Sequence, residues 1–462
     1  MKTTYDVAVL GGGPAGIAAA IAAARTGAET LLVERYGFLG GMSTAALVYP
    51  WMTFHTSTGK QVIRGIAQEI VDRLAAENAS PGHLRDTIGF VRTVTPYRPE
   101  PFKRLAFDML EEAGVTLLLH TLLVGCDAAD GRIRSVDLRH KSGAARVEAK
   151  AFVDATGDGD LAFLAGASWE KGNAAGKVQP MTMKFRMKGV DFAAVKAYML
   201  DNPHDFYEKT PFAELRDLPL TGVSGFYSLW DAANVPLPRE GVLFFTGPDE
   251  DEALINVSRV SGLDPLDPEH LSKAEIEGRK QVFLLESFFR KWIPGFQRAY
   301  VSQVGTQIGV RETRRIVGEY VLNGEDVLSG RRFADVVARS GYPIDIHNPE
   351  GKGITADFIR EGGAYDIPYR SIVAKGIDNC LLAGRCISTT HEAQATTRLT
   401  PSCMAIGQAA GTAAALAARN GVPAREVEIR RLQAALLQAG AELGLAQEQG
   451  GRDPSAEEER GQ

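Results

Sequence analysis

With 462 residues, of which 45% are hydrophobic, 23% charged and 8% aromatic, the chain is long enough for more than one core and too apolar for wholesale disorder, while its apolar runs stop short of the roughly 20 residues a bilayer crossing needs. The formal net charge of −6 and basic residues that occur only in pairs exclude the basic stripe of a nucleic-acid binder. Cys126, Cys380, Cys386 and Cys403 contain no C-x-x-C pair, so no metal site is expected and the thiols are read as free; the N-terminal stretch lacks the layout of a signal peptide, which points to a cytoplasmic protein without a membrane span.

In chain order, Tyr5 to Leu10 is a short apolar strand, GGGPAG follows, Ile17 to Arg25 is an alanine-rich helix and Thr30 to Val33 a second strand. Pro14 suits a helix's first turn and Gly27 its end. Gln61 to Leu74 and Phe102 to Ala113 have helical spacing, with a proline-rich loop from Ser80 to Pro101 between them. Val115 to Val124 reads as one strand, and the turn Asp127 to Asp130 leads into a hairpin that runs on to Val153.

From about 179 to 365 the pattern changes. The runs Met181 to Met187, Val242 to Thr246 and Ala253 to Val257 read as strands beside a long helix from Lys273 to Lys291. Asn379 to Ala383 is again a buried strand, and Pro401 to Arg419 a long apolar helix. The predicted organisation is a cofactor domain from 1 to 175, a substrate-binding domain from 176 to 364, completion of the first domain over 365 to 440, and a charged tail over 441 to 462.

Gly11-x-Gly13-x-x-Gly16 lies between a strand and a helix, and Glu34 closes the next strand, the layout of a dinucleotide fingerprint. Gly11 permits a tight turn, Gly13 lets the backbone approach a pyrophosphate, and Gly16 lets helix pack on strand. The helix start offers free N–H groups and a partial positive charge. Glu34 would accept hydrogen bonds from a ribose diol. After Glu34-Arg35, the glycine-dense GFLGGMS suits a ligand longer than NAD.

These segments, with FVDATGDGDLAFLAGA, GVRETRRIVGEYVL, NCLLAGRCIS and RLTPSCMAIGQAAGTAAALA, resemble the FAD-dependent oxidoreductases of the glutathione-reductase-like superfamily over most of the chain. The resemblance implies an α/β fold with a Rossmann-like FAD-binding domain and an inserted α+β substrate-binding domain. It implies that Gly11, Gly12, Gly13, Pro14, Ala15 and Gly16 hold the FAD pyrophosphate, Glu34 and Arg35 the adenosine ribose, and Gly41, Met42 and Ser43 the middle of the cofactor. Val124 resembles the strand residue that meets the adenine, and Thr156, Gly157 and Asp158 the second shared motif. Gly384-Arg385 stands where many relatives carry Gly-Asp, which leaves the ribityl partner open. The final helix, carrying Ala405 and Ile406, would aim its first turn at the flavin N1 and O2 region.

Arg398 and His391 precede that helix and are the substrate-side candidates, Arg398 as an anion clamp and His391 as a proton carrier. Arg311, Glu312 and Arg314 either reach the same cleft or form a salt-bridge knot, and Arg311 joins the candidates. His55 and His347 are unplaced. The expected reaction transfers a hydride or electron pair between flavin N5 and a small organic substrate, with NAD(P)H, O2 or a quinone open as electron partner and the oligomeric state also open. The alternatives are a flavin monooxygenase and a flavin-binding RNA-modification or scaffold protein, the latter disfavoured by the acidic balance.

Overall fold

The computed structural model describes residues 2–445. Its main sheet has the order Thr116–Leu118, Thr30–Val33, Thr4–Leu10, Gly143–Asp154, Arg132–His140, Leu122–Ala129, with Cys380–Leu382 added beside the end of Gly143–Asp154. The first four of these strands and Cys380–Leu382 pair in parallel. The last three form an antiparallel ribbon. The result is an α/β fold with a Rossmann-like parallel sheet. Val7, Val9, Leu31, Leu32, Phe152 and Val153 are all fully buried, as expected of parallel strands covered on both faces.

Helices Pro14–Arg25 and Thr400–Asn420 pack side by side against this sheet. A Cβ on Gly407 would lie 2.1 Å from the Ala15 carbonyl oxygen, and one on Gly411 2.0 Å from that of Ala19. Glycines four apart lie on one helix face, so the two backbones touch there, and the C-terminal helix is held against the start of the N-terminal one.

Register then assembles a single site. Leu10 pairs with Asp154, which sets the glycine loop level with Ala155–Gly157. Leu382 also pairs with Asp154, which brings Ala383–Arg385 to the same place. Three loops thus meet at the carboxyl ends of parallel strands, where open α/β sheets bind ligands.

A second sheet, Gly222–Gly225, Val242–Thr246, Glu252–Ile255, Phe185–Lys188 and Tyr300–Val304, is antiparallel throughout. The helix Pro268–Trp292 packs against it. Its core, including Met183, Phe185, Val223, Phe244, Val282 and Phe289, draws on residues 181–308. Ile316, Leu322, Val336 and Ile367 belong to the first core instead, so the chain returns near residue 310 and not at the expected 365. The strand pair Trp169–Lys171 with Arg314–Ile316 makes that return.

Other boundaries differ for physical reasons. The expected strand Val115–Val124 is two strands at opposite edges of the sheet. His120, at φ 50°, breaks the run, and residues 118–121 hydrogen-bond instead to Glu34 and Tyr36. The hairpin turns on Asp130-Gly131, both with positive φ, as a two-residue primed turn requires. The long helix starts at Pro268, five residues earlier than its periodicity implies, because Asp267 accepts from the Glu269 and His270 N–H groups and caps it. Within the expected tail, Leu443 is fully buried and Arg332 donates to the carbonyls of Leu443 and Gly444; residues 446–462 lie outside the described residues.

Candidate functional site

A cavity of about 530 Å³ runs from the glycine loop to a cluster of cations beside the second sheet. At the first end, Gly11 has φ 106° and a Cβ there would lie 2.4 Å from the Ala155 carbonyl oxygen, so only glycine makes this turn. A Cβ on Gly16 would lie 1.8 Å from the Gly11 oxygen. Gly13 differs. Its φ of −72° is ordinary, and its Cβ would meet only Gly41 Cα at 3.8 Å. A Cβ on Gly41 would lie 2.9 Å from Gly13 Cα, so the two backbones touch and together form a strip of cavity wall bare of side chains at the start of the helix Pro14–Arg25.

Glu34 ends the second strand at the cavity wall. Its carboxylate accepts from the Gly12 N–H at 2.6 Å and the Tyr36 N–H at 2.8 Å. Arg35 lies over the Tyr36 ring. On the adjoining loop, buried Asp154 accepts from the Thr156 N–H and hydroxyl and the Ala162 N–H, and burial pushes its carboxyl up to about 6. Thr156 and Gly157 line the cavity. Asp158 lies behind them, accepting from Arg385 at 2.5 Å and from Thr313 at 2.7 Å. Burial alone would raise the Asp158 carboxyl, but Arg385 and Thr313 outweigh it and the net shift is downward. Arg385, in the position left open by the sequence, is thus held as a fixed cation at the wall.

At the other end, Arg311 donates to the Pro180 carbonyl at 2.5 Å and the Thr182 hydroxyl at 2.7 Å. Arg398 donates to the Asp345 carbonyl at 3.3 Å, and its buried Nε has no partner. Lys184, Arg239, Asp345 and His347 complete this wall. Asp345 accepts from the Tyr342 hydroxyl at 3.1 Å and lies 3.7 Å from His347 Nε2. Desolvation, and then the surrounding arginines, hold His347 well below its ordinary value, so its ring is neutral near pH 7. Desolvation, with Arg311 and Arg398, lowers the Lys184 ammonium to about 7.

Several sequence-predicted residues do not reach the cavity surface. Gly12 and Gly16 act behind it, the one bonded to Glu34 and the other packed on Gly11. Ser43 is fully buried and accepts from Trp51 Nε1 at 3.3 Å, while Gly41 and Met42 face the cavity. Val124 is 54% exposed on an edge strand; the wall ends at Leu123. Ala405 and Ile406 fall in the second turn of their helix, and Leu399, Thr400 and Cys403 are the residues that face the cavity. His391 is buried with Nδ1 2.9 Å from Glu312. Glu312 also pairs with Arg315, and Arg314 with Asp160. The charged run therefore divides: Glu312 to Arg315 is a structural knot, and Arg311 faces the cavity.

Lys184, Arg239 and Asp345 were not legible from spacing. They come from separate elements, and only the period-two pair Asp345 and His347 on one strand carried any local signal.

A dinucleotide fits this site. The Gly13–Gly41 strip presents bare backbone where side chains would exclude phosphate oxygens, the uncapped first turns of Pro14–Arg25 and Thr400–Asn420 leave N–H groups open at residues other than Pro14 and Pro401, and Glu34 stands at the end where a ribose would lie.

A family model described as FAD dependent oxidoreductase matches residues 6–436. The chain is similar to digeranylgeranylglycerophospholipid reductase of Thermoplasma volcanium, 27% identical over 166 residues that cover 33% of this chain and 39% of that protein. It is also similar to alpha-glycerophosphate oxidase of Enterococcus casseliflavus, 29% identical over 129 residues, 28% of this chain and 18% of that one. The matched region thus spans less than half of either relative. Among solved structures, p-nitrophenol 4-monooxygenase from Pseudomonas putida aligns with a TM-score of 0.49 at 11% identity, covering 96% of this chain and 88% of that one. A geranylgeranyl bacteriochlorophyll reductase-like protein from Thermoplasma acidophilum aligns with a TM-score of 0.45 at 14% identity, covering 95% and 84%.

Proposed function

The chain belongs to the FAD-dependent oxidoreductase family, and on that premise we propose that it moves a hydride or electron pair between FAD and a small organic substrate. We read the Rossmann-like sheet as the glutathione-reductase-like kind and the second sheet as a substrate-binding domain. One observation carries this: the same cavity is lined by the dinucleotide strip from Gly11 to Glu34 and by Arg311, Asp345, His347 and Arg398.

Bound FAD supplies a ring that takes up or gives up an electron pair. Backbone N–H groups at Gly13 and in the first turn after Pro14 would hold the pyrophosphate, Glu34 would accept from the adenosine ribose, and the start of the helix Thr400–Asn420 would stabilise negative charge at the ring end. Arg385, fixed by Asp158, adds a cation between these points. On the substrate side Arg398 and Arg311 orient an acidic or carbonyl oxygen, each anchored by bonds to backbone or hydroxyl groups that preset its direction. His347, neutral and 3.7 Å from Asp345, is placed to accept the substrate's proton once a bound anion offsets the surrounding arginines. His391 has no access to that proton.

The test is the absorbance spectrum of the purified protein, followed by anaerobic mixing with hydroxy acids, amines, sugars and NAD(P)H. A yellow protein with one FAD per chain, bleached by one class of compound, supports the proposal. A protein with FAD that no donor bleaches, and whose reduced form no acceptor reoxidises, refutes the transfer reaction.

A further inference from the structure

Removing a charge from water is costly unless a partner of opposite sign is supplied, and proteins pair their buried arginines accordingly. This fold does so wherever an arginine serves structure. Arg186 faces Glu252, Arg315 faces Glu312, Arg339 faces Asp366 and Arg385 faces Asp158. The substrate end departs from the pattern. Among the described residues, Lys184, Arg239, Arg259, Arg311 and Arg398 have no carboxylate within ion-pair distance; Arg239, Arg259, Arg311 and Arg398 donate to neutral oxygens only.

Of this group, four cations line the cavity against two carboxylates, Asp345 and Glu240, and Glu240 is exposed to water. After desolvation, Arg311 is depressed by Arg398, Arg239 and Arg259 together, so these cations act on one another as one cluster. At the cofactor end, by contrast, Arg385 is paired with Asp158 and Arg35 lines the cavity together with Glu34, so the surplus belongs to the substrate side.

We propose that the substrate carries two anionic groups, held among Lys184, Arg239, Arg311 and Arg398 with Arg259 behind them. The shared chemistry is that of a small dianion, either a dicarboxylate or a phosphorylated carboxylate. This proposal rests on the reading of the cavity's inner end as the substrate site. The bound dianion supplies the counter-charges that the fold withholds, and a neutral molecule of equal shape would leave the surplus over Asp345 and Glu240 uncompensated. Selection therefore acts against neutral substrates as well as for charged ones.

The experiment is calorimetric titration of the purified holoprotein with succinate, 2-phosphoglycolate, butyrate and succinamide. The expected result is binding of at least one dianion about tenfold or more tighter than butyrate, with no measurable heat from succinamide, since each charge-assisted contact is worth at least that factor. Tight succinate with weak 2-phosphoglycolate identifies a dicarboxylate, and the reverse order a phosphorylated acid. Arg239→Gln and Arg311→Gln should each weaken the preferred dianion by about tenfold or more. Flavin content reports the folding of each variant, and if one fails to fold, the wild-type series decides alone. Equal binding of butyrate and the dianions, binding of succinamide as tight as either, or no binding of either dianion at millimolar concentration overturns the proposal. Retention of FAD and its bleaching by a neutral donor would overturn the dianion and leave the oxidoreductase standing. Dianion binding to a flavin that no compound reduces or reoxidises would do the opposite.

Discussion

Replacing Gly13 by valine should remove FAD without harming the fold, and replacing Gly16 by alanine should do the reverse. Gly13 has an ordinary φ of −72°, and its Cβ would be 3.8 Å from the nearest atom, Gly41 Cα, so the protein itself tolerates a side chain. The valine methyls, about 1.5 Å beyond Cβ, enter the strip where pyrophosphate oxygens must meet backbone N–H groups. Losing two charge-assisted hydrogen bonds of about 1.5 to 3 kcal/mol each weakens FAD binding by about 3 to 6 kcal/mol, or roughly two to four powers of ten. Gly16 is another matter, because a Cβ there lies 1.8 Å from the Gly11 oxygen; helix and strand must separate, at a cost of about 1 to 3 kcal/mol or more. Flavin stoichiometry and the unfolding midpoint of the apoprotein measure the two effects separately. Gly13→Val should be colourless with an unchanged apoprotein midpoint, and Gly16→Ala should melt several degrees lower even when stripped of flavin. A Gly13→Val protein that keeps FAD, or that melts as low as Gly16→Ala, refutes the assignment of the two glycines.

Three further outcomes are expected. Lys184 is lowered to about 7 and is charged only below that value, so anion binding to the holoprotein should weaken as pH rises through about 7, with the midpoint moving upward in the complex; Lys184→Met should flatten this dependence, and an unchanged profile would exclude Lys184 from the anion site. Arg398→Ala should slow substrate-driven flavin reduction by about a hundredfold, the effect of losing a charge-stabilising donor, at normal flavin content and midpoint, with lysine restoring only part because it lacks the planar fork; release of FAD would make Arg398 a cofactor residue. All four cysteines stand unpaired, Cys380, Cys386 and Cys403 buried and Cys126 partly so, and burial raises each thiol. Thiol reagent should therefore find at most Cys126 promptly in the native protein and all four after denaturation, and a total below four would contradict free thiols.

The cofactor strip was legible because it is local. A strand, a glycine turn, a helix start and Glu34 lie within thirty-one residues, Thr4 to Glu34, and the backbone conformation each needs restricts residue type, most sharply at Gly11 with φ 106°. The helix Thr400–Asn420 was legible as a long apolar run, but its contact with Pro14–Arg25 through Gly407 and Gly411 appeared only in the structure. Position within an element is less legible: the cavity wall includes Leu122 and Leu123 but not Val124, and Thr400 and Cys403 but not Ala405 or Ile406, a difference of one residue or one helical turn. At the cation-lined end the sequence singled out Arg311 and Arg398, but not Lys184, Arg239 or Asp345. Lys184, Arg239, Arg311, Asp345, His347 and Arg398 span more than two hundred residues of chain and share no spacing. Charge pairing is a property of distance in space, so which arginines are spent on Glu312, Asp366 or Asp158, and which stay open to a ligand, was settled only when the second sheet folded over the ends of the first.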